Sequence, residues 1–353
     1  MTAAGAVVHE VRIGGMPVRL RFAGSSLVPY VLPAFTHLRT KVVSEQPRLT
    51  VELWDGATTG IFPPGFVSDR DAPGRGEVRE FDDAGVRAVF HSGVRPQDGA
   101  FRSVTIFDDR SFVARYFVVD PEETYWYERA APLRAVLHWA LSQPDRLLVH
   151  AGAIAAGNRS LLLAGPGGAG KSTSAVAAML GGYDYLGDDY VLLDLADEHP
   201  MVHSLYATAK LGENAISLLP GLPEIFAGSP PLGAPKHVLD VSRCPPGRLG
   251  TSAQIVAVVV PRLCPGHNTT LRSASASVAL QALAPSTIFQ APRRDGVALR
   301  PLAKLVRCVP AYVLDLGGAP ADVAPVLGQL LNCTRGNGTA TGNLTVRQIP
   351  NGV

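Results

Sequence analysis

Residues 165–173 carry the clearest chemical pattern in the chain. The segment matches G-x-x-x-x-G-K-[ST], the P-loop or Walker A pattern, whose glycine-rich backbone curls so that N–H groups point at phosphate oxygens. The lysine can reach the β- and γ-phosphates of a nucleotide, and the next hydroxyl can bind Mg²⁺. The alternative is a glycine-rich turn that fits by chance, because the chain holds 36 glycines. The predicted nucleotide-binding residues are Gly165, Gly167, Gly168, Ala169, Gly170, Lys171, Ser172 and Thr173.

Two adjacent carboxylates, Asp188 and Asp189, follow soon after this pattern. They come too early for the usual second motif of nucleotide hydrolases. Carboxylates near a phosphate loop are nevertheless what metal binding and proton abstraction require. A solvated turn with two aspartates is the alternative interpretation.

Three basic residues are candidates for phosphate or substrate contacts. Lys210 lies in an otherwise neutral, strand-like run at residues 204–211 and either reaches a phosphate or extends to water. Arg293 and Arg294 are adjacent and either meet phosphate or an acidic substrate, or form a solvated basic turn.

Short elements around the loop must position these residues. The apolar run 160–164 is typical of a buried strand, and residues 173–180 are rich in helix formers. A Gly-Asn pair at 157–158 separates two apolar runs, which predicts a hairpin turn. We therefore expect residues 147–156 and 158–164 to be antiparallel neighbours, with His150 open towards the glycine loop.

The rest of the pattern predicts an α/β protein with a β-rich beginning. Val18, Leu20 and Phe22 alternate with arginines, as in a half-buried strand. The predicted strands are 7–13, 18–22, 49–54, 86–91, 103–107, 112–119, 183–186, 190–193, 204–211, 254–261 and 311–316. The predicted helices are 27–38, 127–142, 275–283, 301–308 and 319–331. We place domain boundaries so that residues 1–143 form a β-rich domain, 144–332 the phosphate-loop domain, and 333–353 a polar, flexible tail.

Composition excludes several classes of function. The 353 residues are 46% hydrophobic and 18% charged, as in a globular protein with a sizeable core. A net charge of only +2 gives no electrostatic argument for binding nucleic acid or a membrane. The first residues lack the features of a signal peptide, and the four cysteines form no C-x-x-C pair. We expect a cytoplasmic protein.

His150, the hairpin, the P-loop and the close-following Asp188-Asp189 together resemble the catalytic domain of HPr kinase/phosphorylase, a family related in fold to PEP carboxykinases. The resemblance covers roughly residues 147–193. It implies that the loop holds ATP and Mg²⁺, that Ser172 and Asp188 contact the metal, and that Asp189 is the base. His150 would lie close to that base. The fold it implies is a mixed-sheet P-loop kinase domain.

The resemblance has limits. The E-x-R-G type signature of HPr kinases is not found downstream, so neither the reverse phosphorylase activity nor HPr itself as substrate is implied. The layout of the whole chain is closer to HPr-kinase-like proteins encoded beside ribosomally made peptide clusters, some of which are similar to peptide-serine kinases.

These observations predict a Mg·ATP-dependent kinase. Lys171, Asp189 and His150 would be catalytic, and the acceptor would be a serine hydroxyl on a peptide or protein. A kinase for a small metabolite and a nucleotide-gated binding module without catalysis are the alternatives. The sequence does not decide the acceptor or the oligomeric state, so a homo-oligomer stays open.

Overall fold

The computed structural model describes residues 5–41, 46–63, 79–83, 85–92, 101–124, 126–219, 222, 236–244, 248–290 and 298–332. These residues form an α/β structure with two large mixed sheets. The predicted tail at 333–353 and the predicted contact residues Arg293 and Arg294 lie outside the described residues. The predicted domain boundaries stay a prediction.

Seven strands from the first third of the chain form one sheet. They are β1 Ala6–Ile13, β2 Met16–Ala23, β3 Leu49–Asp55, β4 Arg79–Asp83, β5 Val86–Ser92, β6 Phe101–Asp108 and β7 Val113–Val118. Their order is β1-β2-β3-β7-β6-β5-β4. β1 and β2 form the predicted antiparallel hairpin, while β3 lies parallel to β2 and β7. Val18, Leu20 and Phe22 are buried, as the alternation in β2 predicts.

Helices in this part of the chain are shorter than predicted. They are α1 Val28–Val31, α2 Gly56–Thr59, α3 Trp126–Ala130 and α4 Arg134–Leu141, with 3₁₀ turns at Leu32–Leu38 and Pro121–Glu123. The single helix predicted at 27–38 is thus α1 followed by a 3₁₀ turn. The helix predicted at 127–142 is also wrong as one element. It divides into α3 and α4 because Pro132 has no N–H to continue the first helix and Leu133 is left-handed, with φ of 59°.

The second sheet contains nine strands. The strands from this part of the chain are β8 Arg146–Val149, β9 Gly152–Ala156, β10 Arg159–Leu163, β11 Asp184–Gly187, β12 Val191–Asp194, β13 Met201–Ser204, β14 Thr208–Leu211, β15 His237–Asp240, β16 Ser252–Leu263, β17 Thr270–Ala274 and β18 Ala311–Leu316. The main order is β11-β9-β10-β16-β13-β12-β8, with β18 on β16 and β17 on β18, while β14 and β15 pair separately. β10 is antiparallel to β9, which confirms the predicted hairpin, and parallel to β16.

A break in one long antiparallel ladder divides this sheet. Val149 in β8 pairs with Val191 in β12, and Ala153 in β9 pairs with Gly187 in β11. Between these pairs both chains leave the ladder, at residues 150–151 and 188–190. The strand predicted at 147–156 is therefore two strands. Gly152 permits the close approach there, because a Cβ would lie 3.1 Å from the Gly187 carbonyl oxygen.

The remaining helices are α5 Lys171–Leu180, α6 Glu213–Leu218, α7 Ala276–Gln290, α8 Leu299–Cys308 and α9 Val323–Leu331, with 3₁₀ turns at Val241–Arg243 and Pro320–Asp322. The helix predicted at 275–283 was too short. α7 continues through Pro285, because its buried Ala279 and Leu283 share a core with Leu302 and Leu305 of α8. Packing of this kind outweighs the one backbone hydrogen bond that a proline removes.

The two sheets share a hydrophobic core. Leu205 and Tyr206 are buried among residues of the first sheet, including Phe35. This packing is why the run predicted as one strand at 204–211 is wrong: the chain leaves β13, fills the shared core and then begins β14. Between the two parts, His37 Nε2 lies 2.7 Å from the Ser204 hydroxyl. Among the described helices, we find no segment long and apolar enough to cross a membrane.

Candidate active site

The glycine loop, residues 165–170, connects the end of β10 to the start of α5. Gly168 and Gly170 have φ of 82° and 100°, conformations that other residues rarely adopt. A Cβ at Gly170 would also lie 2.5 Å from a methyl carbon of Leu316. The first backbone N–H groups of α5 have no acceptor within the helix, so the end of the loop is suited to binding an anion.

Lys171 opens α5 and is only 6% exposed. Its ammonium donates to the carbonyl oxygens of Gly165, at 2.7 Å, and Pro166, at 3.1 Å. Burial lowers the pKa of Lys171, and the charges of the nearby aspartates oppose that shift. The lysine therefore lies between the loop backbone and the carboxylates, where phosphate oxygens can replace the two carbonyls as acceptors.

Asp188 is a buried carboxylate held by several donors. It accepts the Tyr185 hydroxyl at 3.2 Å and the Lys210 backbone N–H at 2.9 Å. Burial and then the neighbouring Asp189 charge raise the pKa of Asp188, whereas hydrogen bonds from Lys210 and Ser172 oppose the rise. Asp188 is therefore fixed in place beside the first turn of α5.

Ser172 and Asp188 together fit a magnesium ion that is shared with a phosphate. The hydrogen bond between them places two oxygen ligands side by side. Mg²⁺ is usually held by one or two protein oxygens, with water and phosphate oxygens completing its shell. In the described part of the chain, no group of three or more His, Cys, Asp or Glu side chains is arranged to hold a metal alone.

Asp189 points its two carboxylate oxygens at different donors. Oδ1 lies 2.9 Å from His150 Nε2, and Oδ2 lies 2.5 Å from Lys210 Nζ. Burial alone would raise the pKa of Asp189, but the Lys210 charge and the His150 hydrogen bond lower it below its ordinary value. Asp189 is therefore ionised and held in one orientation by two side chains.

His150 occupies the break in the ladder opposite Asp189. Its backbone N–H donates to the Thr287 hydroxyl at 3.3 Å, and its ring packs on Tyr190 with centroids 5.5 Å apart. Because Asp189 is an acceptor, we assign the imidazole proton to Nε2. Nδ1 is buried and has no hydrogen-bond partner among the described residues. The ring thus orients the carboxylate from behind.

Aromatic rings from both parts of the chain surround the Lys210 ammonium. Nζ lies 5.5 Å from the centroid of Trp126 and 6.0 Å from that of Tyr190. Arg134 fixes the second ring by donating to the Tyr190 hydroxyl at 2.6 Å. Burial acts to lower the pKa of Lys210, but the Asp189 charge outweighs it and the pKa is raised. Lys210 therefore carries its charge in a slot that α3 helps to build.

A pocket of about 510 Å³ contains these groups, a size suited to a nucleotide. Its charged or titratable lining residues are His150, Lys171, Asp189, Lys210 and Lys236. Its apolar lining residues include Leu263, Leu316, Ala319, Pro320 and Val323. Another cavity of about 560 Å³ is lined by Arg159 at the opposite end of β10, and none of the predicted site residues lines it.

The structure brings the main predicted site residues together. Gly167, Gly168, Gly170 and residues 171–173 line the pocket, as do His150, Asp189 and Lys210. Gly165, Ala169 and Asp188 belong to the adjoining loop and ladder break. Lys210 contacts Asp189 rather than extending to water. The sequence analysis missed Trp126, Arg134 and Tyr190, which approach the site through tertiary packing and leave no short motif.

Comparisons with known proteins add little. No family model matches the chain, and no curated protein matches it. Among solved structures, the chain is similar to the Hpr(Ser) kinase/phosphatase from Coxiella burnetii, at 10% sequence identity and a TM-score of 0.29. The alignment covers 52% of this chain and 93% of that one. This similarity is distant, so the proposals below depend on the geometry of the site.

Proposed function

We propose that the chain is a Mg·ATP-dependent kinase that transfers the γ-phosphoryl group to a hydroxyl, namely a serine of a peptide or protein. The observation that carries the proposal is the placement of an ionised, histidine-bound carboxylate, Asp189, in the same pocket as the glycine loop and Lys171. A phosphate loop alone needs no such carboxylate for binding, whereas phosphoryl transfer to a hydroxyl does.

The loop side of the pocket would bind the nucleotide. Backbone N–H groups of the glycine loop and the start of α5 would bind phosphate oxygens, and Lys171 would exchange its carbonyl acceptors for them. Ser172 and Asp188 would hold Mg²⁺, which would neutralise charge on the phosphates during transfer. The apolar lining would accommodate the nucleoside.

The opposite side would activate the acceptor. Asp189 would accept the serine proton as the hydroxyl oxygen forms its bond to the γ-phosphorus. The bond from that phosphorus to the bridging oxygen breaks, and its electron pair passes to the β-phosphate of ADP. His150 would keep the carboxylate oriented through Nε2. A positioned base of this kind contributes about 10²–10⁴ in rate.

A macromolecular acceptor is favoured by the way the first part of the chain reaches the site. Trp126 belongs to α3, directly after the first sheet, and its ring contacts Lys210. Residues 1–143, which we predict to recognise the substrate, therefore meet the pocket where the acceptor would enter. A small metabolite would need only a pocket.

The proposal can be tested with the full chain, Mg·ATP and a library of serine-containing peptides, with phosphate incorporation followed by mass spectrometry. We expect a phosphorylated serine with the wild type and none with Lys171→Ala. Transfer only to small alcohols would identify a metabolite kinase instead. Nucleotide binding without any transfer would identify the binding module, and absence of nucleotide binding would refute both.

A further inference from the structure

We propose that Lys210 has two alternative partners: the Asp189 carboxylate, with which it is paired in this structure, and the γ-phosphate of Mg·ATP. Binding of a triphosphate would draw the ammonium to the γ-phosphate and release Asp189 Oδ2 for the acceptor hydroxyl. This inference rests on the proposed function and adds a control step to it. The lysine would couple activation of the base to the presence of a transferable phosphate.

The first argument is the occupancy of Asp189. His150 is bound at Oδ1, and the Lys210 ammonium is bound at Oδ2 at 2.5 Å. A carboxylate oxygen in such close contact with a cation is a weak acceptor for a further hydroxyl, because the cation already stabilises its charge. His150 can stay in place during transfer. Lys210 occupies the oxygen that the serine needs.

The second argument is that only the end of the Lys210 side chain has to move. Its backbone N–H is bound to Asp188 at 2.9 Å, and its strand β14 is paired with β15. The rings of Trp126 and Tyr190 lie within about 6 Å of Nζ and can stabilise a cation at several positions along their faces. The flexible lysine stem therefore allows the ammonium to turn while its base stays anchored.

The third argument is the balance of charge. Lys171 and Lys210 line one pocket, and each ammonium has an acceptor from the protein. Exchanging Asp189 for a phosphate replaces one close ion pair by another, so a modest difference decides which one forms. A γ-phosphate offers a second anionic partner within the pocket, whereas a diphosphate has no such group. The exchange should therefore distinguish ATP from ADP.

The experiment is calorimetric titration of the full chain with a non-hydrolysable Mg·ATP analogue and with Mg·ADP. We expect Lys210→Met to weaken binding of the analogue about tenfold, the loss of one charge-assisted hydrogen bond, while ADP affinity changes by less than about twofold. Lys236→Met is the matched control, because it removes a positive charge from the same pocket lining. It should weaken both nucleotides by the same factor.

Asp189→Asn tests the exchange from the other side. Without the competing carboxylate, Lys210 should bind the triphosphate more tightly, by about threefold or more. That gain should disappear when Lys210→Met is added, since coupled residues give non-additive effects in a double-mutant cycle. This arm remains informative if Lys210→Met fails to fold, because Asp189→Asn alone should still show the gain.

Two results would overturn the exchange. One is an equal loss of ATP-analogue and ADP affinity in Lys210→Met, or a loss in Lys236→Met with the same preference. The other is unchanged or weaker binding of the analogue in Asp189→Asn. If the wild type binds neither nucleotide, the proposed function itself fails, which is a different outcome from the loss of discrimination alone.

Discussion

Acid should weaken the contact between the two sheets through His37. The side chain belongs to the 3₁₀ turn Leu32–Leu38, and its Nε2 lies 2.7 Å from the hydroxyl of the fully buried Ser204. Nδ1 is buried and has no hydrogen-bond partner among the described residues. Protonation would place a second N–H there without an acceptor. Burial accordingly lowers the pKa of His37 from 6.5 to about 4.

The sign and size of the effect follow from this shift. Below pH 6.5 the unfolded chain binds a proton at this position that the folded chain does not, so the free energy of unfolding falls as the pH drops from 6.5 to 4. Above pH 6.5 the contribution is fully present. One pKa unit corresponds to about 1.4 kcal/mol, so the loss is about 3 kcal/mol at most.

The assay compares urea unfolding of the wild type and His37→Gln at pH 7.5 and pH 4.5. Glutamine keeps a donor for Ser204 but does not titrate. At pH 7.5 the variant should be slightly less stable, and at pH 4.5 it should be more stable than the wild type by about 2 kcal/mol. The comparison is necessary because burial also lowers the pKa of His91, to about 3. His199→Gln, at an exposed site, is the control. Parallel stabilities of wild type and His37→Gln at both pH values would refute the reasoning.

Three predictions concern the pocket. Lys171→Ala should abolish or severely weaken binding of a Mg·ATP analogue in calorimetry while circular dichroism stays unchanged, and retained affinity in a folded variant would contradict the nucleotide site. Asp189→Asn should lower phosphotransfer to an identified acceptor by about 10²–10⁴, because an amide cannot accept the proton; full activity would move the role of base to another residue, with His150 first. Asp188→Asn should raise the Mg²⁺ concentration needed for half-maximal activity, since an amide is a poorer ligand for a hard cation, and an unchanged metal requirement would place the ion elsewhere.

Local chemistry explains what the sequence could predict. The glycine loop needs left-handed residues at fixed offsets, and a Gly-Asn turn can join only neighbouring strands, so both features are visible in a short window. The antiparallel pairing of β9 and β10 and the start of α5 beside the loop follow from them. The nearness of His150 to Asp189 came from the family resemblance rather than from spacing, because 39 residues separate them.

What the sequence could not predict depends on packing between distant segments. The breaks at 150–151 and 188–190 lie within apolar runs that are typical of continuous strands, and only the pairing of the two runs shows where the ladder opens. Pro132 gave a local signal, since proline interrupts helices, but the direction of α3 after the break is set by other contacts. One of them is the hydrogen bond from the Tyr206 hydroxyl to the Pro132 carbonyl at 3.0 Å.

The same contacts make the first sheet part of the site rather than an attached module. The chain between β13 and β14 inserts Leu205 and Tyr206 into the core of the first sheet, and the Ala207 N–H donates to the Ala34 carbonyl at 2.7 Å. The Thr208 hydroxyl then donates to the Ala130 carbonyl at the end of α3. Lys210 follows two residues later. Its distance from Asp189 and Trp126 is therefore set by packing between the sheets, so a shift of the first sheet would reach the proposed base through the lysine.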